Sequence, residues 1–134
     1  MKRILLSLTI TLFFSLPFGE GWGGAAFAQK QGQQKIDSLL VVLSTAKEDT
    51  SKVNTLIVIA TEKINVGDYT EARKYADDAL ALAERNRFKK GTANSYNLIG
   101  WIYEDLSDYP KALEYDQKEL TINEQLGNKK GYCG

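Results

Sequence analysis

Few side chains in this sequence could take part in catalysis or bind a metal ion. The 134 residues include no histidine and only one cysteine, Cys133, so the commonest general base and a cysteine-based metal site are both absent. The neighbouring carboxylates of Asp77-Asp78 and Glu104-Asp105 do not converge, because adjacent residues on a helix point about 100° apart. We therefore predict that the protein is not an enzyme and has no metal or other cofactor.

A binding role is favoured by Asn97 and Trp101, which lie four residues apart and would share one helical face. An exposed tryptophan supplies contact area, and an amide supplies hydrogen bonds to a peptide backbone. The alternative is that Trp101 packs against a neighbouring helix, because aromatic residues at helical spacing usually belong to the core. The sequence leaves both interpretations open.

The charge balance disfavours one class of partner. The 17 basic and 17 acidic side chains cancel, so a nucleic-acid partner is not expected. Basic residues do gather at two links, where they would form an anion-binding edge or, as is usual for charged loops, a solvated surface. These residues are Arg85, Arg87, Lys89, Lys90, Lys129 and Lys130.

The elements that position these side chains follow from an internal repeat with an offset of 40 residues. The coincident pairs include Asn54 with Asn94, Ile59 with Ile99, Asp68 with Asp108, Tyr69 with Tyr109, Ala72 with Ala112, Tyr75 with Tyr115 and Leu80 with Leu120. Each unit contains two stretches in which apolar residues recur at helical spacing. This pattern predicts two helices in each unit, and therefore an all-α fold.

Turn and capping residues predict where the helices begin and end. The predicted caps are Thr50 or Ser51, then Asp68, then Asp108 with Pro110 in the following turn. The predicted segments are a leading helix at 36–48, a first unit at 50–90, a second unit at 91–130 and the truncated start of a third unit at 131–134. Basic turns that end in glycine are predicted at 86–91 and 127–131.

Residues 1–28 have the pattern of a secretory signal peptide: Lys2 and Arg3, an apolar run at 4–18, and Ala26-Phe27-Ala28 before a cut at Gln29. The alternative, an uncleaved membrane anchor, would need a run of roughly 20 residues. Residues 29–35 are polar and predict a disordered linker. We therefore expect a periplasmic or secreted protein with no membrane segment once the signal peptide has been removed.

The repeated units resemble the tetratricopeptide repeat family, whose pattern is W-x2-L-G-x2-Y followed by A-x3-F and a proline. The second unit has Tyr96-x2-Ile99-Gly100-x2-Tyr103 and then Ala112, and the likeness covers residues 53 to about 126. It is similar to the longer variants of about 40 residues, and to exported repeat regions of Bacteroidetes signalling proteins. The resemblance implies a right-handed α-solenoid of antiparallel helix pairs, with about two units and one leading helix.

The resemblance also implies a peptide-binding groove lined by the first helix of each unit. The groove residues carried over from the family are Asn54, Ile57, Thr61, Asn65, Asn94, Asn97, Trp101, Glu104 and Asp105. They predict a non-catalytic scaffold that is exported from the cytoplasm and binds a protein or peptide. The alternative is the N-terminal sensor fragment of a histidine kinase, nucleotide cyclase or transcription regulator whose output domain is missing.

Two residues depart from the family pattern. Asp116 stands where the family prefers a large aromatic residue, and Glu119 stands where it prefers alanine. The pair would mark either a solvated capping face or neutral drift in a fragment. The second explanation is favoured because 131–134 align with the opening of a unit at Gly91. An uncovered apolar stripe on the last helix would then also permit self-association.

Overall fold

The computed structural model describes residues 19–127, with side chains from residue 26 onward. This part of the chain contains five α-helices joined by short turns and has no strand. The helices are α1 (Gly19–Thr45), α2 (Thr50–Asn65), α3 (Tyr69–Arg85), α4 (Lys89–Asp105) and α5 (Tyr109–Gln125). From α2 onward each helix packs against the next, and α2 also contacts α4. The prediction of an all-α solenoid built from helix pairs is confirmed.

Contacts divide the chain between Gln34 and Lys35 into two compact regions, and both helix pairs lie in the second region. Residues 35–45 of α1 belong to this second region and pack against the core of the repeats. Ile36 is fully buried, Leu43 packs against the buried cluster that contains Val53, and Lys35 forms an ion pair with Glu62. The leading helix is therefore a structural part of the solenoid.

The segment 29–35, predicted to be a disordered linker, is helical and lies within α1. Its polar residues are glutamine and lysine, which have high helix propensity, and only Gly32 lowers that propensity. Low hydrophobicity alone was therefore a poor guide here. The leading helix also ends at Thr45 rather than at residue 48. Residues 1–18 of the predicted signal peptide and the predicted third-unit start at 131–134 lie outside the described residues.

The cap of α2 is Asp49 rather than Thr50 or Ser51. Its carboxylate accepts hydrogen bonds from the backbone N–H groups of Ser51 at 2.9 Å and Lys52 at 3.3 Å. A carboxylate here also interacts favourably with the positive end of the helix dipole, which a hydroxyl does not. The helix therefore begins one residue after the aspartate.

The caps predicted at Asp68 and Asp108 are confirmed. The carboxylate of Asp68 accepts from the N–H of Glu71 at 3.2 Å, and that of Asp108 accepts from the N–H of Lys111 at 3.4 Å. Pro110 lies in the first turn of α5, where no intrahelical N–H donor is needed. The two equivalent carboxylates set the start of α3 and α5.

The turn predicted at 86–91 is shorter than expected, because α4 begins at Lys89. Gly91 is a buried helical residue and not the end of a turn. A Cβ at this position would lie 2.4 Å from the Phe88 ring atom Cδ1 and 2.9 Å from Val53 Cγ1. The glycine therefore permits close approach of α4 to α2.

Two buried clusters hold the pairs together. One consists of Val53, Leu56, Ala79, Leu82 and Ala83, and the other of Ala60, Ala76, Leu98 and Ile99. Ile57 and Tyr75 pack against both clusters. The small alanines of α3 allow that helix to lie close to α4, so the two repeat units share one continuous core.

Candidate functional site

The predicted groove residues lie on α2 and α4. Exposed members are Asn54, Asn65, Asn94, Trp101, Glu104 and Asp105, and half-buried members are Ile57, Thr61 and Asn97. Ile57 packs against both buried clusters, and the Thr61 hydroxyl donates to the backbone carbonyl of Ile57 at 2.9 Å. The first-unit part of the predicted groove is thus partly occupied by packing between the units.

Trp101 borders a depression between α4 and α5 with a volume of about 320 Å³. The depression is lined by Asn97, Trp101, Glu104, Asp116, Glu119, Leu120 and Asn123, which we call the α4–α5 face. The Trp101 side chain is 48% exposed. About half of the side chain is therefore open to solvent, while it also borders the neighbouring helix α5.

The carboxylate of Glu119, on the α4–α5 face, accepts hydrogen bonds from two amides. Asn97 Nδ2 donates to Glu119 Oε2 at 3.0 Å, and Asn123 Nδ2 donates to Glu119 Oε1 at 3.1 Å. Hydrogen bonds from neutral amides orient a carboxylate but leave its negative charge in place. The face therefore presents a fixed anionic group beside the indole of Trp101.

Asp116 approaches the backbone of α4 at Gly100. A Cβ on Gly100 would lie 2.8 Å from Asp116 Oδ1, so the absence of a side chain there leaves space for the carboxylate. The carboxylates of Glu104, Asp116 and Glu119 all border the same depression, and no lysine or arginine is among its lining residues. The face is accordingly acidic, with Trp101 and Leu120 as its apolar members.

Three predicted residues, Asn97, Trp101 and Glu104, are brought together in this face, and the other six are not. The sequence marked Asp116 and Glu119 only as departures from a pattern and Leu120 only as the repeat partner of Leu80, and it did not single out Asn123. A signal was present in the 40-residue offset. The counterparts of the α5 members of the face are Ala76, Ala79, Leu80 and Ala83, which belong to or pack against the buried clusters.

A second polar cluster lies between α3 and the second unit. Arg73 donates from Nη1 to the Tyr103 hydroxyl at 2.6 Å, from Nη2 to the Tyr115 hydroxyl at 3.3 Å, and from Nε to Asp77 at 2.9 Å. The rings of Tyr103 and Tyr115 are stacked with centroids 5.7 Å apart. Burial disfavours the charged guanidinium, but hydrogen bonds to Tyr103 and Asp77 outweigh it and raise the pKa of Arg73. The cluster fastens one unit to the next.

Lys118 of α5 and Tyr96 of α4 extend this cluster. Lys118 Nζ lies 4.6 Å from the Tyr115 ring centroid, in the range of a cation–π interaction, and a hydrogen bond to Glu114 raises the pKa of the lysine. The Tyr96 hydroxyl donates to Glu84 at 3.3 Å. Burial of the phenol, and then the nearby Glu84 carboxylate, raise the pKa of Tyr96.

The basic link has contacts of its own. Arg85 forms an ion pair with Glu48 at 3.5 Å, and Lys89 donates to Gln125 at 3.2 Å. Arg87 and Lys90 are exposed. Lys129 and Lys130 lie outside the described residues, so the anion-binding edge stays a prediction.

The described side chains, at residues 26–127, include many carboxylates but no histidine or cysteine. No group of three or more histidine, cysteine, aspartate or glutamate side chains in this range could hold a metal ion. Asp77 is engaged by Arg73 and does not converge with Asp78 on a shared point. Among the described helices, none combines the length and apolar character needed to cross a bilayer.

The fold and the repeat are matched by a family model. The model of the tetratricopeptide repeat matches residues 55–125, and the chain therefore belongs to the tetratricopeptide repeat family. Comparisons with curated proteins and with solved structures found no match. Repeats of this family are typically non-catalytic scaffolds that bind proteins or peptides.

Proposed function

We propose that this chain is an exported, non-catalytic scaffold that binds a protein or peptide segment through the α4–α5 face. The observation that carries the proposal is the exposed Trp101 beside a carboxylate oriented by two amides. Tryptophan is among the residues that most often dominate binding energy. Removing about 100 Å² of apolar surface from water is worth about 2.5 kcal/mol.

The polar rim of the face supports recognition of a segment with its own polar groups. Asn97 and Asn123 are already bonded to Glu119, so the carboxylate is pre-oriented before a partner arrives. Pre-orientation lowers the entropy lost on binding. Trp101 then supplies apolar contact area, while Asp116 and Glu119 supply hydrogen-bond acceptors.

The test is quantitative binding to a partner identified from the natural host. The full chain is cross-linked in a cell-envelope extract, the captured protein is identified by mass spectrometry, and the Kd of the purified pair is measured by calorimetry. We expect Trp101→Ala to raise the Kd by about tenfold or more, and Asn97→Ala to raise it less. Leu106→Ala is the control, because Leu106 is 55% exposed and lies outside the face. Equal affinity of wild type and Trp101→Ala would refute the site.

Export is part of the proposal and is supported by the signal-peptide pattern of residues 1–28. Export is tested by the intact mass of the protein isolated from its host. We expect the mass of a chain whose first residue is Gln29, found in the periplasmic or secreted fraction. A cytoplasmic protein that retains Met1-Lys2 would contradict export. Sequencing the gene past the codon for Gly134 tests the alternative role as a sensor, which requires an in-frame output domain.

A further inference from the structure

A cavity of about 340 Å³ lies where the end of α1 meets α2 and α3, and it shares no lining residue with the α4–α5 face. Much of its wall is apolar. Leu56 and Leu82 are buried, and Leu43 and Tyr75 are half-buried and pack against the same cluster. Binding sites for small molecules are usually cavities of about 300–1,000 Å³ with mostly apolar walls. The cavity therefore has room for a ligand at the small end of this range.

The second unit shows what fills the equivalent space. At an offset of 40 residues, Tyr115 corresponds to Tyr75, and Tyr96 corresponds to Leu56. The rings of Tyr96 and Tyr115 are in contact, with centroids 6.1 Å apart and planes tilted by 47°. Such a ring pair is stabilising beyond the area that it buries. Relative to the second unit, the first unit therefore lacks an aromatic ring beside Tyr75, and the cavity lies at that place.

Four charged side chains also line the cavity: the cations Lys52 and Arg85, and the carboxylates Glu48 and Asp78. Glu48 forms ion pairs with both cations, and its pair with Arg85 has a distance of 3.5 Å. The Arg85 and Glu48 side chains are 68% and 58% exposed, so water screens this pair, and a ligand can replace Glu48 at the guanidinium. The four charges sum to zero. The cavity therefore favours a ligand that carries both signs over a ligand with a single charge.

We propose that this cavity binds a free amino acid with an aromatic side chain. The ring lies against Tyr75 and Leu56, in the place that Tyr96 has in the second unit. The α-carboxylate accepts hydrogen bonds from Arg85, whose forked donors match the two oxygens of a carboxylate. The α-ammonium group donates to Asp78. A ligand that lacks either charged group loses one of these contacts and brings its remaining charge near a side chain of the same sign.

NMR titration of the full chain with four ligands, followed by backbone amide shifts, tests the proposal. L-phenylalanine carries all three groups. L-phenylalaninamide has a neutral amide in place of the carboxylate, 3-phenylpropionate lacks the ammonium group, and L-leucine lacks the ring. We expect L-phenylalanine to bind with a Kd below about 1 mM, with the largest shifts around Tyr75. Each of the other three should bind at least about tenfold more weakly, because one charged or aromatic contact is lost.

Two variants with matched controls locate the ligand. Ala81→Phe places a ring in the cavity from an exposed position on α3 and should abolish binding. Its control is Thr121→Phe, at the exposed counterpart of Ala81 on α5, outside the cavity. Arg85→Gln should weaken L-phenylalanine by about tenfold but leave L-phenylalaninamide unchanged, and Arg87→Gln, at an exposed arginine outside the cavity, is its control. Circular dichroism melts check that each variant is folded.

Several outcomes would overturn the inference. If none of the four ligands binds, or if L-leucine binds as tightly as L-phenylalanine, the cavity is not a site for an aromatic amino acid. Equal binding of L-phenylalanine and 3-phenylpropionate would show that the charged side chains do not select a ligand with both signs. Loss of binding in Thr121→Phe as well as in Ala81→Phe would place the ligand outside the cavity. Because the cavity and the α4–α5 face have no lining residue in common, the proposed function is tested separately.

Discussion

Arg73 in α3 and Tyr103 in α4 are joined by a hydrogen bond of 2.6 Å between Nη1 and the phenol oxygen, 30 residues apart in sequence. The guanidinium also lies 5.1 Å from the centroid of the Tyr103 ring. Arg73, in the first repeat unit, therefore contacts the second repeat unit both through an N–H donor and through its positive charge. This contact adds a directional polar interaction to the alanine-lined packing of α3 against α4.

Replacement of Arg73 by lysine should destabilise the protein by about 1–3 kcal/mol, because one ammonium cannot reproduce the forked donors of the guanidinium. Urea unfolding followed by circular dichroism measures the loss. Lys74→Arg is the control at a neighbouring exposed position. In a double-mutant cycle with Tyr103→Phe the two losses should not be additive, and additivity would show that the two side chains are not coupled.

Ser107→Gly should stabilise the protein by about 0.5–1 kcal/mol. Ser107 follows the C-cap of α4, Leu106, with a φ of 61°, in the left-handed region, where a Cβ is unfavourable. Its counterpart in the first unit is Gly67, with a φ of 79°. Gly67→Ser is therefore the matched reverse change and should destabilise by a similar amount. Shifts of the urea midpoint in the same direction for both variants would contradict this account.

Gly91→Ala should destabilise the protein by about 1–3 kcal/mol, because the new methyl group would overlap the ring of Phe88 and the side chain of Val53. Gly100→Ala is the matched comparison. There the nearest atom is the terminal Oδ1 of Asp116 at 2.8 Å, which can rotate away, and the helix propensity of alanine offsets the cost by about 1 kcal/mol. In thermal melts, the Tm of Gly91→Ala should be well below that of Gly100→Ala. The reverse order would refute the packing described for α4.

Alkaline pH should weaken the fold through Tyr96. Its pKa in the folded protein is raised above the ordinary value of 10.0, first by burial and then by Glu84. The folded state thus holds the phenolic proton more tightly than the unfolded state does. Its contribution to stability is complete below about pH 10 and is lost as the pH rises through the folded-state pKa.

Unfolding free energies measured from pH 8 to 11 check this prediction. Wild type should lose more stability across this range than Tyr96→Phe, which lacks the titrating group. Tyr109→Phe, at a tyrosine that is 67% exposed, should follow the wild type. Identical pH profiles for wild type and Tyr96→Phe would rule out Tyr96 as the cause.

The helices could be predicted from sequence wherever local interactions decide. Asp68 and Asp108 were recognised as caps because a capping carboxylate acts on an N–H three residues away. Asp49 was missed because hydroxyl and carboxylate caps compete over neighbouring positions, and only the backbone geometry selects one. Gly91 was interpreted as a turn residue because close helix packing and a turn both favour glycine.

The candidate site could be predicted only in part. Asn97 and Trp101 were found because they share one helical face, which sequence spacing specifies. Their neighbours across the depression, Glu119 and Asn123, belong to another helix, and the way two helices meet is set by the packing of many side chains at once.

The sequence by itself determined the period of 40 residues, the all-α class and most helix boundaries, because helical spacing and caps act within a few residues. The tertiary structure alone decided which faces are covered. Ala79 is buried in a cluster with Val53 and Leu56 of α2, whereas its counterpart Glu119 borders an open depression and accepts hydrogen bonds from Asn97 and Asn123. That difference arises from contacts between helices, which bring together residues far apart in the chain.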